Sequence, residues 1–174
     1  MITVRPVTEA DDACVRELIT GILEREFSAE EKAYFGRDIE QVSRNYAGPR
    51  ETFFVATDQD KIVGTAGIKE EDERNALLRR IFVRSDYRGR KIGSQLIANA
   101  VSFCKGQGYQ EIIFKTTSRM SDAIKLCEAN GFVKRVRLEL GNLELLKFTM
   151  HLEKIGKGEK VTEEDAEKKK RRKS

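Results

Sequence analysis

Between Arg88 and Gly93 the chain reads Arg-Gly-Arg-Lys-Ile-Gly, three cations and two glycines just ahead of an apolar segment. In that segment Ile92, Leu96, Ile97, Ala100, Val101 and Cys104 recur at helical spacing. Upstream, Leu78, Ile81, Phe82 and Val83 form a β-rich apolar run, and Ser85-Asp86 opens a turn. The basic loop therefore joins a strand to a helix N-terminus. Backbone N–H groups there lack intrahelical acceptors, and the helix dipole adds partial positive charge. Gly89 and Gly93 leave the backbone open to a ligand, and Arg88, Arg90 and Lys91 add formal charge. The chemistry this suits is anion binding, most naturally a phosphate or pyrophosphate. Neither a Walker A loop nor G-x-G-x-x-G is present. A solvated turn that merely starts a helix is the plain alternative, and the surrounding elements decide between them.

A chain of 174 residues suits one domain with a full core. Apolar residues make up 39% and charged residues 36%, a balance expected of a globular protein with a polar surface. No apolar run approaches the ~18 residues of a membrane span, and the start lacks the apolar core of a signal peptide. Cys14, Cys104 and Cys127 are odd in number and show no C-x-x-C spacing, so free thiols in a reducing, cytoplasmic setting are expected. No metal is expected. The net charge of +4 is uneven: residues 153–174 hold nine Lys/Arg against six Asp/Glu, leaving 24 against 23 elsewhere. The nearly neutral body argues against nucleic-acid binding except weakly through this tail, whose composition predicts disorder.

Taken in order, Ile2–Val7 alternates as a strand, and a helix is expected over residues 9–27. Ser28-Ala-Glu-Glu31 has capping-box spacing and predicts a second helix through Asn45. Residues 52–57 and 62–68 read as a hairpin, residues 70–75 as a charged turn, and residues 76–83 as the strand before the loop. A helix to Gly106, a strand over 111–116, a helix over 120–129 ended by Asn130-Gly131, and strands over 132–140 and 143–152 follow. The order β-α-α-β-β-β-α-β-α-β-β predicts an α/β domain over residues 1–152, with a twisted mixed sheet flanked by helices and one parallel pair around the crossover helix.

This order, with two motifs, resembles the GNAT superfamily of N-acetyltransferases over Thr3–Leu152. Val83 to Ile97 is similar to V-x-x-x-[YF]-R-G-x-G-[IL]-G-x-x-L-[IL], with Lys91 in place of the middle glycine. Ala123 to Phe132 is similar to A-x-x-L-Y-E-K-x-G-F, with Cys127 in place of the tyrosine. The resemblance implies acetyl-CoA as cosubstrate, its pyrophosphate held by Arg88, Gly89, Arg90, Lys91, Ile92, Gly93 and Ser94. It also implies a bulged strand in which Ile81, Phe82 and Val83 pair through their backbone with the pantetheine arm. Such proteins often form homodimers.

Acetyl transfer to an amine needs a neutral amine, donors for an oxyanion and an acid for the thiolate. The N–H groups around Phe82 and Val83 suit the second need. Cys127 has two readings, a thiol that donates a proton or a small apolar residue on a helix face, and the second is the stronger. Some family members carry a Glu where this chain has Leu77; of the nearby carboxylates Glu70 is the candidate base, with a water chain as the alternative. His151, the only histidine, suits a structural or exposed role better than catalysis. The resemblance assigns acceptor recognition to residues 24–34 and 140–145, where Glu26, Glu30, Glu31, Glu139 and Glu144 would attract a cation. The expected function is acetyl transfer from acetyl-CoA to a primary amine of a small molecule or amino acid. A peptide or protein amine is the alternative acceptor, and a CoA-binding sensor without catalysis is the alternative of another class.

Overall fold

The computed structural model describes residues 1–27 and 37–153. Its elements are β1 (Ile2–Pro6), α1 (Asp12–Glu26), α2 (Val42–Asn45), β2 (Thr52–Asp58), β3 (Lys61–Glu70), β4 (Asn75–Val83), α3 (Ile92–Gly106), β5 (Glu111–Thr117), α4 (Ser121–Ala129), β6 (Val133–Leu140) and β7 (Leu143–His151). The expected order is reproduced. The strands form one seven-stranded sheet, β1-β2-β3-β4-β5-β7-β6. Every neighbouring pair is antiparallel except β4–β5, which flank the crossover helix α3.

Each long helix covers one face of this sheet. The stripe Val15, Leu18, Ile19, Ile22 and Leu23 on α1 packs against Phe53, Val55 and Phe82. On the opposite face Ile92, Leu96, Ile97, Ala100 and Cys104 of α3 meet Val63, Ala66, Ile81, Phe114 and Phe148. Each such aliphatic or aromatic side chain contributes ~1.5–3 kcal/mol by leaving water, which fixes both helices on the sheet. Gly131, at φ +96°, ends α4 as the Asn-Gly pair predicts.

Two expectations need correction. The single helix through Asn45 does not hold over its described part, which has a 3-10 turn at Arg37–Ile39 and the one-turn α2. The cause is tertiary: Asp12 of α1 accepts from the backbone N–H and the hydroxyl of Ser43, at 2.9 and 2.5 Å, and so caps α2 separately. The capping box at 28–31, with Glu30 and Glu31, lies outside the described residues, as does the tail beyond residue 153. The charged turn starts one residue late, because Glu70 still pairs with Ala76 in the β3–β4 ladder.

Candidate active site between β4 and β5

The parallel ladder between β4 and β5 stops after Asn75↔Glu111, Ala76↔Ile112 and Leu77↔Ile113. Beyond that point β4 runs on to Val83 while β5 keeps only its pairing with β7 on the other side, so from Leu78 onward β4 has no described strand along one edge. A cleft of about 620 Å³ lies there, a size that suits a small-molecule ligand. The bulge expected in this strand is present. Thr65 pairs with Phe82 and Gly67 with Arg79, so Arg80 and Ile81 together oppose Ala66. Arg80 takes φ +55°, and its carbonyl accepts from the Thr65 hydroxyl at 2.8 Å.

A buried ion pair holds the bulge from the α1 side. The Arg80 side chain, 5% exposed, pairs with Asp38, its Nε donating to Oδ2 at 3.0 Å; the Tyr46 hydroxyl also donates to Asp38. Burial opposes the charge on Asp38, but Arg80 and Tyr46 outweigh it and hold the carboxyl at about 2. Burial, with Asp38 as acceptor, keeps the Tyr46 phenol protonated well above its usual range. Neither residue figures in the sequence motifs. Forty-two positions separate Asp38 from Arg80, so no local spacing announces the pair.

At the other end of the cleft lies the basic loop. Nine of the ten expected cofactor residues line the cleft: Ile81, Phe82, Val83, Arg88, Gly89, Lys91, Ile92, Gly93 and Ser94. Arg90 does not; its guanidinium lies 4.8 Å from the centre of the Tyr87 ring. Lys91 caps α3 in the left-handed region, φ +61° and ψ +18°, which accounts for a glycine at this place in the family pattern. Gly89 is also left-handed, and a Cβ built on it would meet nothing within 4 Å, so its backbone is open. Gly93 is different. A Cβ there would sit 2.5 Å from Leu126 Cδ2, so this glycine serves the contact between α3 and α4 rather than ligand approach alone. The α3 N-terminus, where the first backbone N–H groups lack intrahelical acceptors, thus faces the cleft.

The charge of Arg88 is offset. Its Nη2 contacts Glu26 at 2.6 Å and its Nη1 contacts Asp122 at 3.0 Å, while Nε donates to the Val83 carbonyl at 3.2 Å. One side chain thereby links the end of α1, the start of α4 and the strand before the loop. Glu26, assigned by resemblance to a cationic acceptor, is instead the counterion of Arg88. Residues 119–123 at the start of α4 complete the wall, a contribution the sequence reading missed because it took the second motif from Ala123 onward and sought its chemistry at Cys127.

Neither catalytic candidate reaches this wall. Cys127 is 0% exposed in the core beneath α4, where burial pushes its thiol up to about 12, and the apolar reading accounts for it. Glu70 ends β3 opposite Ala76, six residues along the strand from Gly64, which pairs with Val83; that is ~20 Å at strand rise. It pairs with Arg50 at 3.0 Å. His151, exposed, ends β7 opposite Glu111. Among the described residues the cleft wall holds two carboxylates, Glu26 and Asp122, both paired to Arg88. No described helix is long and apolar enough to cross a membrane.

The cleft thus runs from the bulged edge of β4 to the basic loop at the α3 N-terminus, and comparisons with known proteins point to one family. The model of the acetyltransferase (GNAT) family matches residues 16–132. Human N-acetyltransferase 8 is 30% identical over 103 residues, 56% of this chain and 45% of that protein. Human N-acetyltransferase 8B is 28% identical over 127 residues, 66% and 56%. The chain spans about half the length of these curated relatives. Among solved structures, a GNAT acetyltransferase from Staphylococcus aureus Mu50 superposes with a TM-score of 0.74 at 22% identity, over 88% of this chain and all of that one. A Salmonella typhimurium protein solved with its cofactor acetyl-CoA gives 0.67 at 15% identity, over 89% and 96%. The match of the family model over most of the chain decides the assignment: this chain belongs to the GNAT acetyltransferase family.

Proposed function

We propose that the protein transfers an acetyl group from acetyl-CoA to a primary amine of a small molecule or amino acid. The observation that carries this reading is the bulged edge of β4, which no described strand pairs beyond Leu77, leading to an anion cradle at the α3 N-terminus. When bound, acetyl-CoA supplies an activated acetyl thioester. Residues 88–94 would hold its phosphates through backbone N–H groups and the helix dipole. The edge of β4 would take the extended arm as an added strand, and N–H groups near Phe82 and Val83 would donate to a developing oxyanion. A water chain would remove the proton from the amine, because both carboxylates among the described wall residues are occupied by Arg88.

The test measures thiol release from acetyl-CoA over a panel of small amines, amino acids and peptides. Calorimetric titration of acetyl-CoA into the parent and a Gly89→Asp variant runs beside it. Gly89 is preferred to Gly93 for this purpose because a side chain there meets open space. Saturable binding that the variant loses, with turnover on small amines, is the expected result. Turnover confined to peptides would move the acceptor class, and binding without turnover on any amine would make the protein a CoA sensor. No binding to the parent would sink the reading.

A further inference from the structure

The strands that part at the cleft carry cations on one face. Leu77↔Ile113 is the last pair of the β4–β5 ladder, so the next residues on its face are Arg79 of β4 and Lys115 of β5, flanking the point of separation. Lys115 lies directly opposite Lys147 of β7, a like-charge pair that costs stability. Ile112, Phe114, Leu146 and Phe148 fill the core under α3, so alternation puts Lys115 and Lys147 on the α1 side of the sheet. Arg135, the extra residue of the β6 bulge, reaches this side too, its Nε donating to Thr149 Oγ1 at 3.2 Å. Among the described residues, the core under α1 draws on β2, β3 and β4 and on no residue of β5, β6 or β7. Lys115 is accordingly exposed and Lys147 partly so.

The charges on this face do not balance. Asp38 serves both Arg79, at 3.7 Å, and Arg80. Glu71 lies 3.6 Å from Lys115, and Lys147 has no ion pair among the described residues. The described glutamates expected to draw a cationic acceptor are engaged elsewhere, Glu26 by Arg88 and both Glu139 and Glu144 by Arg137. One carboxylate between two guanidiniums, beside a lysine without a counterion, leaves positive charge where the strands part.

We infer that the acceptor carries a negative charge next to its amine, as an amino acid with a free carboxylate does. The inference rests on the acetyl-transfer reading above. On that reading the extended arm runs from the α3 N-terminus back along β4, and its acetyl end would reach the bulge at Arg80 and Ile81, beside Arg79. The face under α3 is filled by Ile81, Ile92, Leu96 and Phe114, so the amine would approach over the α1 side, past Arg79, Lys115 and Lys147. The N–C bond forms as the thioester C–S bond breaks, and the proton lost by the amine ends on the leaving sulfur. An acid group next to the amine would be drawn in by these cations, whereas a polyamine would meet like charge.

The experiment follows thiol release from acetyl-CoA by the full chain, with leucine, methionine and phenylalanine each beside its carboxamide, and putrescine as a dication. The parent is compared with the double variants Lys115→Gln/Lys147→Gln and Lys115→Arg/Lys147→Arg. The readout is the ratio of kcat/KM for acid over amide. Differences in amine basicity cancel when this ratio is compared between proteins, and lost folding or cosubstrate binding lowers both rates together. The glutamine variant should lower the ratio at least about tenfold, the size of one lost charge-assisted contact, and the arginine variant should keep it. An unchanged ratio in the glutamine variant, a fall as large in the arginine variant, or a parent that prefers putrescine or acetylates no amino acid would overturn the inference alone. Calorimetric titration of acetyl-CoA separates the other failure: a parent that does not bind it sinks the acetyl-transfer reading and this inference together.

Discussion

Replacing Lys91 by glycine should stabilise the protein, which is unusual for a glycine at a helix start. The residue holds φ +61° and ψ +18°, a conformation that costs an ordinary side chain ~1–2 kcal/mol. Glycine removes that strain but adds unfolded-chain entropy worth ~0.5–1 kcal/mol. The balance favours Lys91→Gly by about 0.5–1 kcal/mol over Lys91→Ala, which keeps the strain and loses the same ammonium. For a domain of this size that difference moves Tm by about 1–4 °C. Urea unfolding of parent, alanine and glycine variants reads the difference, and acetyl-CoA titration of the same proteins separates two roles. An affinity loss common to both variants reports the lysine charge; a difference between them reports the backbone. Equal stability of the alanine and glycine variants would refute the strain argument.

Further outcomes follow from the same geometry. Asp38→Asn should destabilise the protein by ~2–4 kcal/mol in urea unfolding, because it strips the buried Arg80 guanidinium of its counterion. The Asp38 carboxyl, held at about 2, stays charged where the unfolded chain protonates, so its contribution is present above ~pH 4 and drains as pH falls towards ~2. With solvent screening allowed for, this is ~1–2 kcal/mol, visible as an acid slope in parent stability that Asp38→Asn lacks. Gly93→Ala should cost ~1–3 kcal/mol through its clash with Leu126, and in a Leu126→Ala background most of that cost should vanish in a double-mutant cycle. A thiol reagent should label Cys14 and spare Cys104 and Cys127 in the native protein, both of which are buried with thiols pushed up to about 12.

The strand, loop and helix from Leu78 to Cys104 were legible because apolar periodicity changes from strand to helix within one short segment. The bulge was not; it entered through resemblance, since Arg80 in a left-handed conformation has no sequence signature. Lys91 carried a readable signal, a departure at a glycine position, whose backbone meaning only the dihedral angles supply. Contacts between distant segments stayed hidden: Arg88 with Glu26 and Asp122, 62 and 34 positions away, and Asp12 capping α2, 31 positions from Ser43. The same limit misplaced Glu70, which is near the loop in sequence but at the far end of a strand in space.

Strand β4 divides its labour by atom type. Ile81 packs in the core under α3 and Phe82 in the core under α1, and both residues also border the cleft. Under the recognition by main chain proposed above, these side chains answer to packing alone. Conservative exchanges among apolar residues at positions 81 and 82 therefore register as changes in melting temperature before they register as changes in ligand affinity. On the same proposal, the surface that selects the acceptor can drift at the periphery of the scaffold while the berth proposed for the cosubstrate, written in peptide bonds, stays the same.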